Sequence, residues 1–168
     1  MVVYIKKSIK FIIGIFAIIL LFIFSTLWYF SSDLPDYKIL ANYKPPISSR
    51  VHSGEGNLIA EYAIQKRLFI PYDSIPENVV NSFLSAEDKN FFSHPGIDAK
   101  SITRATIKNL KNFFSNKRLE GASTITQQVA KNFLLTNEVS IKRKIKEAIL
   151  AFRIERAYSK KRIMELYL

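Results

Sequence analysis

The stretch Gly121 to Leu135, GASTITQQVAKNFLL, decides how the chain is read. Gly121 closes a loop, Thr124 and Gln127 stand at capping-box spacing, and Ile125, Val129 and Phe133 recur every four residues. The pattern predicts a capped amphipathic helix with one buried stripe. The start of such a helix is also a ready anion site, because its first backbone N–H groups lack partners within the helix. The hydroxyls of Ser123 and Thr124, with Lys131 two turns on, could bind a phosphate there, although capping alone also explains Ser and Thr at these positions.

Helical spacing continues on both sides of this stretch. Downstream, Ile141, Ile145, Ile149 and Phe152 predict the buried face of a second helix. On it Lys142, Arg143, Lys144 and Lys146 surround Glu147. Arg143 and Glu147 at i and i+4 would account for the acid as a plain surface ion pair. An acid among four cations, following a possible anion site, is also what a reaction that expels phosphate would use. Ser159 caps a last helix, with Ile163, Leu166 and Tyr167 expected inward and Lys160 and Glu165 outward.

Upstream, Asp98 can cap a helix carrying Ile102, Ala105 and Leu110. It runs into IKNLKNFFSNKRLEG (107–121), where Ile107, Leu110, Phe113, Phe114 and Leu119 alternate with Lys108, Lys111, Lys117 and Arg118. Those apolar residues either complete the core or enter a lipid interface. Before this helix lies SAEDKNFFSHPG (85–96), in which Glu87 follows an apolar stripe of Val79, Val80, Phe83 and Leu84. A carboxylate half withdrawn from water at a helix C-terminus meets desolvation and the negative end of the helix dipole, and both make it a better base. A surface acid at a frayed helix end fits the same spacing. His94 has only His52 for company and no ligand spacing, so it reads as a hydrogen-bonding residue of the Pro-Gly turn, not a metal ligand.

Nearer the N-terminus the period changes to two. RVHSGEGNLIAEYAI (50–64) sets Gly-Glu-Gly-Asn between alternating segments and predicts a hairpin, and QKRLFIPYDSIP (65–76) could add a third strand before Pro71. Residues 31–49, rich in Ser, Pro and Asp, read as a linker, and the folded domain is expected to run from 50 to 168. From Phe11 to Phe30 the chain carries no charge and has the roughly 20 residues that cross a bilayer. Lys6, Lys7 and Lys10 in the tail, residues 1–10, precede this run, while Asp33 and Asp36 follow it. The positive-inside bias therefore leaves the N-terminus in the cytoplasm and the domain outside. The run exceeds the apolar stretch of a cleaved signal peptide, and no small-x-small site follows it.

The net charge is +11, and removing the three tail lysines leaves +8 on the rest. Anionic partners are implied: nucleic acid, phosphate-bearing substrate or acidic lipid. With no cysteine among its 168 residues, the chain can have neither disulfides, nor thiolate metal sites, nor a cysteine nucleophile.

Four segments in order, EDKNFFSHPG (87–96), GASTITQQVAKN (121–132), RKIKE (143–147) and KKRIMELYL (160–168), resemble one family. It is the peptidoglycan glycosyltransferases, or transglycosylases, found alone or as the N-terminal half of class A penicillin-binding proteins. The resemblance implies a mainly α, lysozyme-like domain with a small N-terminal β-hairpin, preceded by one transmembrane helix of the cytoplasmic (inner) membrane. It implies polymerisation of lipid II, with Glu87 as general base and Glu147 as the second important acid. By the same resemblance Ser123, Thr124, Gln127, Lys131, Arg143 and Lys144 serve the departing pyrophosphate, and Asp88, Phe91, His94, Gln128 and Asn132 belong to substrate binding. The segment around Phe113 and Phe114 falls where the family has a mobile, membrane-associated jaw. A divalent cation, Mg or Mn, is implied as a bridge between pyrophosphate oxygens, with no organic cofactor and no protein metal site. Implied partners are lipid II, the nascent glycan, the membrane and other cell-wall synthesis proteins, but not nucleic acid.

Two departures stand out. Glu138 is followed by Val139 where the family often has Glu-Arg-Thr or Glu-Lys-Thr, so one pyrophosphate-binding cation is missing or is supplied by Lys142. The fourth motif normally continues past Tyr-Leu with Asn, and a fifth follows, so a chain ending at Leu168 is expected to be an incomplete domain. No Ser-x-x-Lys occurs, which places any transpeptidase half beyond these residues. Three rival readings are a membrane-tethered polyanion-binding module, an inactive remnant, and a retaining hydrolase using paired carboxylates.

Overall fold

The computed structural model describes residues 2–43, 49–62, 70–113, 115, 117–136 and 138–168, with side chains from Lys10 onward. Helix α1, Val2–Ser31, begins well before Phe11. Its segment Lys10–Ser31 is long and apolar enough to cross a membrane, and none of it is buried against the rest of the chain. Its 22 residues span about 33 Å, close to a hydrocarbon core.

The hairpin forms as expected from β1, Ser49–His52, and β2, Leu58–Tyr62, paired antiparallel with Arg50 opposite Glu61 and Val51 opposite Ala60. Gly56 takes a positive φ of 84° in the turn, where the Ser53 hydroxyl accepts the Asn57 N–H. A bulge interrupts the register between Val51 and His52. The third strand expected between Gln65 and Pro71 lies, up to residue 69, outside the described residues, and Ile70 is not in a strand.

Five helices follow: α2, Glu77–Glu87; α3, Ala99–Phe113; α4, Ile125–Leu134; α5, Ile141–Ala157; and α6, Lys160–Tyr167. The architecture is mainly helical, and α4, α5 and α6 pack on one another around Ile125, Val129, Leu150, Ile154, Ile163 and Met164. The capping box is present: Thr124 Oγ1 accepts the Gln127 N–H, and Gln127 Oε1 accepts the Thr124 N–H. Ser140 and Ser159 cap α5 and α6 in the simpler way.

Several expected faces are corrected. On α5, Ile141 is 82% exposed and Phe152 is also exposed, and the interior is formed by Glu147, Leu150, Ala151 and Ile154. This second stripe also has helical spacing, and it wins because it faces α4. On α2 only Val80 is buried, with Val79 and Phe83 exposed. On α6, Met164 joins Ile163 and Leu166 inside, whereas Tyr167 is half-buried. Lys160 and Glu165 are not outward: Lys160 Nζ donates to the His94 carbonyl, and Glu165 accepts the Tyr72 N–H. Residues 31–43 are no free linker either. They carry a 3-10 turn, Tyr37–Leu40, that sinks Leu40 completely into the core with Leu34, Tyr37 and Tyr43 packed around it.

Helix α3 starts as expected on Asp98, whose Oδ1 accepts the N–H groups of Lys100 and Ser101. The Ser101 hydroxyl, helped by the Asn90 amide and these N–H groups against the effect of burial, holds the Asp98 carboxyl far below the usual carboxylate range. A depressed folded value stabilises above the unfolded one and is lost as pH falls through it. Asp98→Ala is therefore expected to cost about 1–2 kcal/mol at neutral pH. The difference in melting temperature from wild type should shrink as pH falls below about 4. Beyond its cap, α3 buries only Ala105, while Ile102, Ile107, Leu110 and Phe113 stay exposed; Phe114 lies outside the described residues.

Candidate functional site

Glu87 is the last residue of α2. Its side chain is exposed, not half withdrawn as the apolar stripe suggests, and Oε2 accepts a hydrogen bond of 2.8 Å from Gln128 Nε2 on α4. The backbone leaves the helix at Asp88, which turns inward and is buried. Asp88 accepts the Ile125 N–H at 3.0 Å and lies 3.0 Å from His94 Nε2 through both carboxylate oxygens. His94 Nδ1 accepts the Gly96 N–H, which leaves the ring proton on Nε2 facing Asp88. Neighbouring residues with opposite fates thus fix each other: buried Asp88 ties the end of α2 to the start of α4, and Glu87 is held facing out.

The same knot accounts for the rest of the first motif. Phe91 is fully buried, with Lys160 Nζ 4.4 Å from its ring centroid, and Thr124 Oγ1 donates to the Gly96 carbonyl at 2.6 Å. Gly96 has φ of 96°, and a Cβ there would lie 2.8 Å from the Ala151 carbonyl oxygen. Gly96→Ala is expected to cost about 2–4 kcal/mol from positive-φ strain and this contact, lowering the melting temperature by roughly 10 °C. Asp88, Phe91, His94, Thr124 and Gln127, which the resemblance assigns to substrate, are all buried and bonded or packed to one another or to backbone, so in this structure they hold the site together.

The cationic end lies around the start of α4 and the first turns of α5. Lys144 Nζ donates to Ser123 Oγ at 2.6 Å and to Glu147 Oε2 at 2.7 Å. Arg143 pairs with Glu147 through its other oxygen and donates to the Glu138 carbonyl. Glu147 is only 2% exposed, so it is a buried counter-ion beneath two cations and not a surface partner. Burial, then the charges of Arg143 and Lys131, push the Lys144 ammonium below the usual lysine value. Two cations thus share one carboxylate with the Lys131 charge close by, and the surplus positive charge suits an added anion.

Helix α4 joins the two ends. Ser123 and Thr124 precede it, Gln128 reaches Glu87, and Lys131 one turn later acts on Lys144. Asn132 is exposed. Sequence reading misses Tyr167 as a neighbour of the acid. Burial first, and the Glu87 charge second, raise its phenol, and its ring stacks edge-on against Phe83. No local signal links positions so distant in sequence.

Two cavities lie among the described residues, and the second includes a residue of the cationic cluster. One of about 720 Å³ runs along α3 past Lys100, Thr103, Arg104, Ile107, Lys108 and Lys111. The other, about 460 Å³, lies between residues 33–35 and the α4–α5 connection and includes Arg143 and Lys146. Among the described residues no three His, Asp or Glu side chains converge as metal ligands.

Residues 55–168 match the model of the transglycosylase family. Penicillin-binding protein 1A of Rickettsia felis is 51% identical over 166 residues, covering 96% of this chain and 21% of that protein. The protein of the same name from Aquifex aeolicus is 45% identical over 162 residues, covering 95% of this chain and 22% of its own length. That of Escherichia coli is 42% identical over 140 residues, covering 83% and 16%. The chain spans about a fifth of these relatives' length. By the match of most of its residues to one model, and by these identities, the chain belongs to the transglycosylase family, as the transglycosylase domain of class A penicillin-binding proteins.

Proposed function

We propose that the chain is a peptidoglycan glycosyltransferase that extends glycan strands from lipid II. The observation that supports this most is that one helix, α4, links an exposed carboxylate to a cationic cluster: Gln128 holds Glu87, and Ser123 and Lys131 face Lys144. Glu87 takes the proton of the acceptor N-acetylglucosamine 4-hydroxyl. That oxygen bonds to C1 of the donor N-acetylmuramic acid, and the C1–oxygen bond to undecaprenyl pyrophosphate breaks. The bonding electrons leave with the pyrophosphate, and Lys131, Arg143 and Lys144 offset its charge.

Glu147 keeps these cations together while the site is empty, and the proton on Glu87 returns to solvent. Among the described residues no three His, Asp or Glu side chains form a cage for Mg or Mn, and a divalent ion, where one takes part, would be held through the pyrophosphate oxygens. In this reading α1 spans the membrane with the domain outside, and the exposed apolar residues of α3 rest in the outer lipid interface.

The test is to incubate the full chain in liposomes with lipid II and follow glycan length and released polyprenyl pyrophosphate. Lengthening with matched release supports the reading. Shortening of pre-formed strands would favour hydrolysis, and binding without turnover would favour a polyanion-binding module.

A further inference from the structure

We infer that residues 31–43 form a clasp that fixes the height of the α5 cluster above the bilayer, with Asp33 as a positioning residue acting through Lys146. The inference rests on the lipid-linked substrate proposed above. Helix α1 runs unbroken to Ser31, so Asp33 lies just outside the apolar span. Lys146 Nζ donates to the Asp33 carbonyl at 2.9 Å and to its carboxylate at 2.7 Å. This bond and the Lys146 charge, with a smaller effect from Lys142, hold the Asp33 carboxyl below its ordinary value.

Two helical turns further along α5, Arg153 donates to the Ser31 hydroxyl. The Tyr158 hydroxyl then donates to the Tyr37 carbonyl at 3.0 Å, and Arg162 to the Leu40 carbonyl at 3.2 Å. The segment is thus tied at 31, 33, 37 and 40 and has little slack. An exposed ion pair holds little by itself. Fully buried Leu40 keeps the segment docked, and Asp33 sets where the helix end meets α5.

Lys146 directly precedes Glu147, so one side of α5 holds the anchor while the next holds Arg143, Lys144 and the acid. The anchor therefore sets the cluster at the level where a membrane-embedded lipid presents its phosphates. Such positioning matters for rate, since a displacement of about 1 Å can cost about 10²-fold. It matters only for a substrate whose own height the bilayer fixes.

The test uses the full chain in liposomes with two donors, full-length lipid II in the same bilayer and a short-prenyl analogue free in water. Ser31→Ala with Asp33→Ala removes both side-chain ties on the anchor side and leaves the Asp33 carbonyl and Leu40 in place. We expect an initial rate at least about tenfold lower on bilayer lipid II and within about twofold of wild type on the soluble analogue. Asp33→Glu should recover most of the loss. A Gly-Ser-Gly insertion between Ser32 and Asp33, which keeps the ion pair but loosens the anchor, should reproduce the selective loss. Equal losses on both donors, no loss on either, or an insertion without effect would overturn the clasp. A wild-type chain that extends neither donor would remove the functional reading, and this inference with it.

Discussion

Glu87→Gln is expected to lower the initial rate of lipid II polymerisation by about 10²- to 10⁴-fold, the usual contribution of a positioned general base. The change keeps the shape of the side chain and removes only its ability to accept a proton. Glu87 is exposed and makes one hydrogen bond, to Gln128, which a reoriented amide can preserve. The melting temperature should therefore stay within about 2 °C of wild type, as for a surface substitution. Because the proton moves only in the transition state, the loss should fall on kcat, with KM for lipid II little changed. A polyanion-binding module would be indifferent to this substitution. A loss confined to KM would also contradict a base at position 87.

Glu147→Gln should act differently, lowering stability and donor handling together. The wild-type carboxylate is buried beneath Arg143 and Lys144, so its neutral replacement leaves cations facing one another without their counter-ion. Breaking a buried pair costs about 3–5 kcal/mol, and the exposure of Lys144 reduces this to about 2–4 kcal/mol, or roughly 10 °C in melting temperature. Inorganic pyrophosphate should restore part of the loss, because a bound anion replaces the missing charge, and should stabilise the variant more than wild type. Equal stabilisation of both proteins would show that the cluster does not hold the anion where Glu147 sits.

Local chemistry was the most legible part of the chain. The Thr124–Gln127 capping box, the Asp98 cap and the Gly54–Asn57 turn all depend on residues a few positions apart, and each forms as its spacing predicts. Choices between faces were less legible. On α5 two stripes have helical spacing, and the one with more Ile and Phe is the more apolar, yet the interior takes the stripe beginning with Glu147 because Arg143 and Lys144 compensate the buried acid. His94 forms the hydrogen bond in the Pro-Gly turn that its setting suggests, but its burial against Asp88 has no local signal, because their mutual hydrogen bonds let both polar side chains leave the surface. Residues 31–43 look like linker because Pro, Ser and Asp dominate. Leu40 and Tyr37 find their partners on α5 and α6, more than 100 residues away, beyond any local pattern.

The most direct measurement is the structure of the Glu87→Gln protein with lipid II bound on a membrane mimic. General-base catalysis with cation-assisted departure requires the acceptor 4-hydroxyl within about 3 Å of the side-chain oxygen at position 87 and the donor pyrophosphate against Lys131, Arg143 and Lys144 on the other side of α4. A pyrophosphate seated away from those cations, or a hydroxyl turned away from position 87, would contradict the mechanism.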